Sequence, residues 1–284
     1  MNCCKRGLMR AMKLLLTGGF LFFVVSSIAR IPAFSESCGE GNDILKLMTY
    51  NIRIAHPPSK GWSETDLPAV AKVIADAKPD LVALQEVDAF TERSGKAVHQ
   101  ARELAEMTGL NYFFAKAIDR SEGDYGVAVL SRFPIVEARG YRLPVRDSLK
   151  SEIRALAVVK ARLPDGSIVV FCSAHLDQLA DEDRLLQSET MVDILNGYSD
   201  YPVILGADLN MTPENPVMDY LQENFDVGCT RCPLTFPSVN PNRTIDYFLF
   251  NQKAKGNFNL TEYKTIKEEY ASDHLPIEVV LRKH

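Results

Sequence analysis

The sequence predicts an α/β fold in which two mixed sheets pack face to face with helices on the outside. Three observations carry that expectation. Apolar runs of strand length recur from Ile44 to Leu281, amphipathic helical patterns separate some of them, and a turn signal joins two runs directly. A purely parallel sheet needs a long crossover between neighbouring strands, so hairpins mixed with strand–helix units point to mixed sheets.

The strand-like runs are 44–54, 81–84, 126–130, 155–159, 168–171, 203–205, 245–250 and 277–281. They are short, apolar and rich in β-branched or aromatic residues. Asp165-Gly166 lies between two of them and marks a hairpin. Three helices are expected. Residues 66–77 carry Pro68 in the first turn, where proline is tolerated. In residues 97–108, Val98, Ala101, Leu104 and Ala105 have helical spacing, and Gly109 follows as a stop. In residues 182–195, Leu185, Leu186, Met191, Val192 and Leu195 fall mostly on one face before Gly197. No repeat or low-complexity stretch interrupts residues 44–284, which read as one domain.

The first 33 residues read differently. Lys5, Arg6, Arg10 and Lys13 precede an uncharged, mostly apolar stretch from 14 to 29, and small residues follow at Ser26, Ser27, Ala29 and Ala33. This is the layout of a secretory signal peptide. The apolar stretch is shorter than the roughly 20 residues that span a bilayer, which disfavours the alternative of a retained membrane anchor. Residues 34–43 are polar and contain glycine, as a linker would. The chain is therefore expected to act outside the cytoplasm, in the periplasm, at the cell surface or secreted. Cys38 offers a lipidation site, but the acid in the preceding Ser-Glu-Ser disfavours it.

Without residues 1–33, which hold five basic and no acidic residues, 27 basic residues face 37 acidic ones, a formal charge of −10. Proteins that neutralise many phosphates along a polyanion carry the opposite sign, so nucleic acid is disfavoured as the main partner. The chain is long enough to bury a large core without a disulfide framework. Cys172 sits in an apolar run and reads as a buried thiol. Cys229 and Cys232 form a Cys-Thr-Arg-Cys pair, too few sulfurs for a zinc site and suited to a local disulfide after export.

Polar residues gather just beyond the apolar runs. Glu86 follows one strand, and Asp208 and Asn210 leave another together. His175 ends a third, Asp246 begins a fourth, and Asp273-His274 precedes the last. Each alone reads equally well as a turn, a cap or a surface acid. Together they supply histidines beside carboxylates at strand ends, where catalytic groups are displayed. Carboxylate and amide oxygens suit a hard cation such as Mg2+, whereas no paired-histidine or paired-cysteine set suggests zinc.

The ordered series Thr-Tyr-Asn-Ile, Leu-Gln-Glu-Val, Tyr-Gly-Val-Ala-Val-Leu-Ser-Arg-Phe-Pro-Ile, Ser-Ala-His-Leu-Asp, Gly-Ala-Asp-Leu-Asn, Thr-Ile-Asp-Tyr and Ser-Asp-His-Leu-Pro resembles the endonuclease/exonuclease/phosphatase family. That family includes DNase I-like nucleases, neutral sphingomyelinases and inositol-polyphosphate phosphatases. The resemblance implies a four-layered α/β/β/α sandwich and a Mg2+-dependent phosphoric ester hydrolase, with Mn2+ as a substitute. It implies Glu86 as a direct metal ligand, Asn51 as the amide shaping the metal and phosphate site, and Asp273 as an acid near the metal. Asp208 would orient or deprotonate the attacking water, with Asn210 holding it. His274 would contact the phosphoryl oxygen, oriented by Asp246, and His175 would stabilise the transition state or protonate the leaving oxygen. Several DNA-repair members have an acid two residues after the first asparagine, where this chain has Arg53. Arg53 is then either a phosphate contact or a surface residue. Arg154 and Tyr125 are further candidates for phosphate binding.

The expected function is hydrolysis of a phosphate ester, favouring a small-molecule or lipid-headgroup phosphodiester, by a monomer. A DNase-type endonuclease is the alternative within the family, and a non-catalytic module retaining the fold is the alternative outside enzymology. A calcineurin-like phosphatase would need a Gly-Asn-His motif that the chain lacks.

Overall fold

The computed structural model describes residues 43–61, 64–146 and 151–284. The expectations for residues 1–33, for Cys38 and for all but the last residue of the linker lie outside the described residues. The chain runs β1 (Ile44–Asn51), α1 (Leu67–Ala77), β2 (Leu81–Ala89), α2 (Gln100–Thr108), β3 (Asn111–Arg120) and β4 (Gly123–Ser131). It continues through β5 (Ile135–Leu143), β6 (Arg154–Arg162), β7 (Ile168–His175), α3 (Asp181–Asn196), β8 (Val203–Asp208) and α4 (Pro216–Asn224). The last elements are β9 (Asp226–Val227), β10 (Asp246–Phe250), α5 (Gln252–Asn257), β11 (Phe258–Thr265) and β12 (Ile277–Lys283).

These strands form two six-stranded sheets, ordered β11-β12-β1-β2-β4-β3 and β5-β6-β7-β8-β10-β9. Each is mixed for the same reason. The pairs β1–β2 and β7–β8 are parallel and joined across a helix, α1 or α3, while neighbours linked by short turns pair antiparallel. The predicted turn is one of these: Gly166 takes φ 85 between β6 and β7, a left-handed conformation that glycine adopts without strain.

Alternation along the strands separates three cores. Leu47, Leu81, Ala83 and Val129 face Ala157, Phe171, Ile204 and Phe248 between the sheets. Met48, Tyr50, Val82 and Leu84 point the other way, under Val70 and Ile74 of α1 and Ala101 and Leu104 of α2. Val170, Cys172, Leu205 and Leu249 lie beneath Met191 and Leu195 of α3 and Met218 and Leu221 of α4. Both sheets are thus covered on both faces, which gives the four layers. Four of the five described helices start where a side chain accepts from an exposed amide, and α3, after Ala180, does not. Asp66 accepts from Ala69 N at 3.0 Å, and Asn215 accepts from Val217 N at 2.9 Å.

Some boundaries differ from the sequence expectation. The first strand ends at Asn51 instead of residue 54, because Arg53, Ile54 and Ala55 turn left-handed. The second helix begins at Gln100 instead of residue 97, after a His99 cap. Gly109 ends that helix at φ 69 as expected, whereas Gly197 stays right-handed after α3. Cys172 is buried, and Cys229 and Cys232 form a disulfide.

The sheets approach closely beneath the functional residues. A Cβ at Gly206 would lie 2.8 Å from Ala83 Cβ and 2.9 Å from Thr49 Cβ, so only glycine fits there. Beside it, Gln85 Nε2 donates to Thr49 Oγ1 at 3.2 Å and to Ser173 Oγ at 3.1 Å, joining the sheets by side-chain hydrogen bonds.

Candidate active site

The first sheet supplies Asn51 and Glu86. Along β2, Val82, Leu84 and Val87 all enter the core under the helices. That is a spacing of two and then three, so one residue between Leu84 and Val87 is extra. The β2–β4 register breaks there, and Glu86 takes φ 54. The bulge returns Val87 to the core and turns Glu86 toward the strand ends. Asn51 ends β1 beside it, donating from Nδ2 to Glu86 Oε1 at 3.1 Å and to Asp208 Oδ2 at 2.8 Å. Its Oδ1 accepts from Arg53 N at 3.0 Å. Asn51 therefore braces carboxylates from both sheets and has its amide oxygen engaged by backbone.

The second sheet supplies the histidine and acid set. β7 and β8 run parallel with His175 opposite Asp208, and β8 and β10 antiparallel with Asp208 opposite Asp246. Three of the expected residues thus sit side by side on adjacent strands. Asn210 follows at φ 52, with its backbone N bonded to Asp208 Oδ1 at 2.9 Å. Asparagine tolerates this left-handed geometry better than most residues. Its Nδ2 lies 2.8 Å from His175 Nε2. A donor at Nε2's side leaves His175 the acceptor there, with its proton on Nδ1.

His274 arrives from the segment before β12. Its Nδ1 lies 3.0 Å from Asp246 Oδ2, and its Nε2 lies 3.8 Å from Asp208 Oδ2. Phe236 packs on its ring at 4.8 Å between centroids. The environments push the two histidines apart. Burial, then Arg154 and His274, hold His175 well below its ordinary pKa, so it is neutral at pH 7. Burial also works against charge on His274, but Asp246 and then Asp208 outweigh it and raise the imidazole to about 10. Burial and the Asp246 charge raise the Asp208 carboxyl, while His274, Asn51 and the Asn210 amide work to lower it.

Of these residues Glu86 and His175 line a groove of about 420 Å3, together with Arg53, Tyr125, Arg154 and Asp273 among others, whereas Asn51, Asp208, Asn210, Asp246 and His274 are not among its lining residues; its volume is within the size range of small-molecule sites. Arg53 Nε pairs with Asp273 Oδ2 at 3.1 Å, so Arg53 belongs to the groove wall. Tyr125 is buried under the Arg93 guanidinium, whose carbon lies 5.4 Å above its ring. Arg154 is only 5% exposed, and its Nε has no hydrogen-bond partner. That holds among the described residues, where no ion pair with a carboxylate includes Arg154 either. Arg93, Arg120, Glu152 and Gln178 also line the groove and were not anticipated. Asp88 grips Arg93 at Nε and Nη2, both at 2.8 Å, and Glu152 pairs with Arg120. No local pattern announces such contacts.

The profile of the Endonuclease/Exonuclease/phosphatase family matches residues 48–274. The chain belongs to that family. No curated protein matches it in sequence. Among solved structures, an endonuclease/exonuclease/phosphatase from Beutenbergia cavernae aligns with TM-score 0.69 and 23% identity, over 84% of this chain and 72% of the other. A mannosyl-6-phosphatase of Bacteroides thetaiotaomicron aligns with TM-score 0.66 and 20% identity, over 84% and 99%. The human Nocturnin catalytic domain, solved with a sulfate anion, aligns with TM-score 0.64 and 19% identity, over 85% and 94%. At these identities the likeness speaks for the fold.

Endonuclease/exonuclease/phosphatase proteins hydrolyse phosphoric esters and usually depend on a divalent metal. Two donor sets come into question for one. Asp208, Asp246 and His274 have ligand atoms within 4.8 Å of one another, all buried. In that set both Asp246 oxygens face His274 Nδ1, at 3.2 and 3.0 Å, so the imidazole already holds the charge a metal would supply. Glu86 and Asp273 offer carboxylates to the groove instead, where a hard cation keeps its waters.

Proposed function

We propose that this protein is an exported, Mg2+-dependent phosphoesterase that cleaves a small-molecule or lipid-headgroup phosphodiester by in-line attack of water. Its partners are then small substrates, with nucleic acid disfavoured by the acidic charge. The observation that carries the reading is Arg154. A guanidinium cannot lose its proton, and burying one beside a neutral histidine, with no carboxylate paired to it among the described residues, is costly unless an anion completes the site. A phosphoryl group in the groove supplies that anion, and guanidinium–phosphate hydrogen bonds are among the stronger kinds. Tyr125 and Arg53 border the same space.

Glu86 and Asp273 would hold the cation, Mg2+ or Mn2+, with Asn51 fixing Glu86. When bound, the metal polarises a phosphoryl oxygen and neutralises developing charge. Asp208, with its raised pKa, orients the attacking water and takes up its proton. Asn51 and Asn210 hold Asp208 in place from either side. His274, kept protonated by Asp246, donates to a phosphoryl oxygen and stabilises the charge that builds there. His175, held at Nε2 by the Asn210 amide, would stabilise the transition state or assist the leaving oxygen.

Export rests on the basic, apolar and small-residue order of the leader, and the preference for small esters rests on the formal charge of −10 without it. The test is to assay protein lacking residues 1–33 with Mg2+ and with excess chelator. Bis(p-nitrophenyl) phosphate, p-nitrophenyl phosphate, glycerophosphocholine and duplex DNA are compared at moderate salt. Metal-dependent turnover of small diesters above DNA is expected. Full activity in chelator overturns the metal mechanism, and efficient DNA cleavage that falls steeply with salt favours the nuclease alternative.

A further inference from the structure

Gln100 borders no part of the groove, yet it ties together two segments that do. It occupies the first position of α2 and is 1% exposed. Its Oε1 accepts from Asp88 N at 2.9 Å, just past the Glu86 bulge. Its Nε2 donates to Ile54 O at 2.6 Å, inside the turn after Asn51.

Both segments hold conformations that ordinary residues avoid. Glu86 has φ 54, and Arg53, Ile54 and Ala55 have φ 48, 50 and 55. Such a conformation persists only where its surroundings over-determine it. Beyond the Ile52 N–Gln85 O bond at 3.1 Å, neighbouring strands give limited support at these points, because the β2–β4 register breaks beside Glu86 and β1 has already ended. Gln100 provides both missing bonds from one planar amide, an acceptor for one segment and a donor for the other. Glutamate would turn a carboxylate oxygen toward Ile54 O, methionine would offer neither bond, and asparagine is one methylene too short.

We infer that Gln100 is a positioning residue that couples the Glu86 bulge to the Arg53–Ala55 turn and so sets the distance between Glu86 and the Arg53–Asp273 pair. The consequence for metal binding rests on the reading of Glu86 as a metal ligand. The coupling itself rests only on the two hydrogen bonds. Asp88 extends the same brace along the loop, because its buried carboxylate accepts from Thr91 Oγ1 at 2.8 Å, from Ser94 Oγ at 2.6 Å and from Arg93.

The test compares wild type, Gln100→Glu, Gln100→Met and Leu104→Ala. Leu104 is buried in the same helix and touches neither segment's backbone bonds, so its truncation controls for destabilisation alone. Amide hydrogen exchange on the metal-free proteins is read for peptides spanning 51–56 and 84–89. Both should accelerate together in the Gln100 variants and in neither case for Leu104→Ala. Mn2+ binding, followed by electron paramagnetic resonance without substrate, should weaken by about 10- to 100-fold, the usual effect of removing a group that orients a metal ligand. On bis(p-nitrophenyl) phosphate, kcat should fall while KM changes little. Exchange that rises in only one segment, or in neither, overturns the coupling. So does Mn2+ affinity that matches Leu104→Ala. A wild type that neither binds Mn2+ nor hydrolyses the ester refutes the functional reading, and the exchange experiment still decides the coupling.

Discussion

Arg154→Met removes a guanidinium that folding buries to 5% exposure with Nε unbonded. Methionine keeps much of the apolar stem, so packing changes little. Leaving one buried polar group unsatisfied costs about 1–3 kcal/mol, and the substitution relieves that cost. For a domain of this size each kcal/mol is worth about 2–4 °C, so the midpoint of thermal unfolding should rise by about 2–12 °C. Function should move the other way. A hydrogen bond to a charged group contributes about 1.5–3 kcal/mol, which corresponds to a loss of roughly ten- to a hundredfold in kcat/KM. Circular dichroism melts of the metal-free protein and steady-state kinetics on bis(p-nitrophenyl) phosphate measure the two effects side by side. Inorganic phosphate should stabilise wild type more than the variant. A variant that melts lower than wild type, or retains kcat/KM within about twofold, refutes the argument that Arg154 waits for an anion.

The pair formed by His274 and Asp246 yields two more expectations. His274→Ala should lower kcat by roughly 10²-fold, and a double mutant with Asp246→Asn should fall well short of the product of the single losses, because the two act as one unit. Fully multiplicative losses in steady-state kinetics would count against the pair. The folded pKa of about 10 lies above the ordinary 6.5, so the charged imidazole contributes stability that is complete below about pH 6.5 and lost as pH rises through about 10. In urea titrations of metal-free protein, the stability gap between wild type and Asp246→Asn should therefore narrow from pH 6 to pH 10; a constant gap contradicts the assignment. At the contact between the sheets, Gly206→Ala should destabilise by about 1–3 kcal/mol through overpacking against Ala83 and Thr49, as read by the same titrations.

The inner architecture was legible because its strands are buried on both faces and therefore read as continuous apolar runs. Strands β3, β5 and β11 were not. Lys116 and Asp119, Glu137 and Arg139, and Glu262 and Lys264 interrupt them with charge because they lie toward sheet edges and are partly exposed. The site residues stood out as acids, amides and histidines placed where apolar runs stop, and the fold brings His175, Asp208, Asn210, Asp246 and His274 together. Glu86 left one overlooked mark, the step of three between Leu84 and Val87 that betrays a bulge. Gln100 left none. Its partners are Asp88 N and Ile54 O, backbone atoms present at every position, and only the fold selects them.

The double hydrogen bond of Asn51 has a consequence for how activity is acquired. Glu86 belongs to one sheet and Asp208 to the other, and a single amide touches both. Each sheet by itself carries half of the chemistry. On the proposed function, a partly folded chain with one sheet formed, or with two sheets not yet docked, should not hydrolyse phosphate esters. The return of hydrolysis during refolding is then a clock for docking, separate from the return of secondary structure. Any lag between circular dichroism and turnover measures the time the two faces take to find their register.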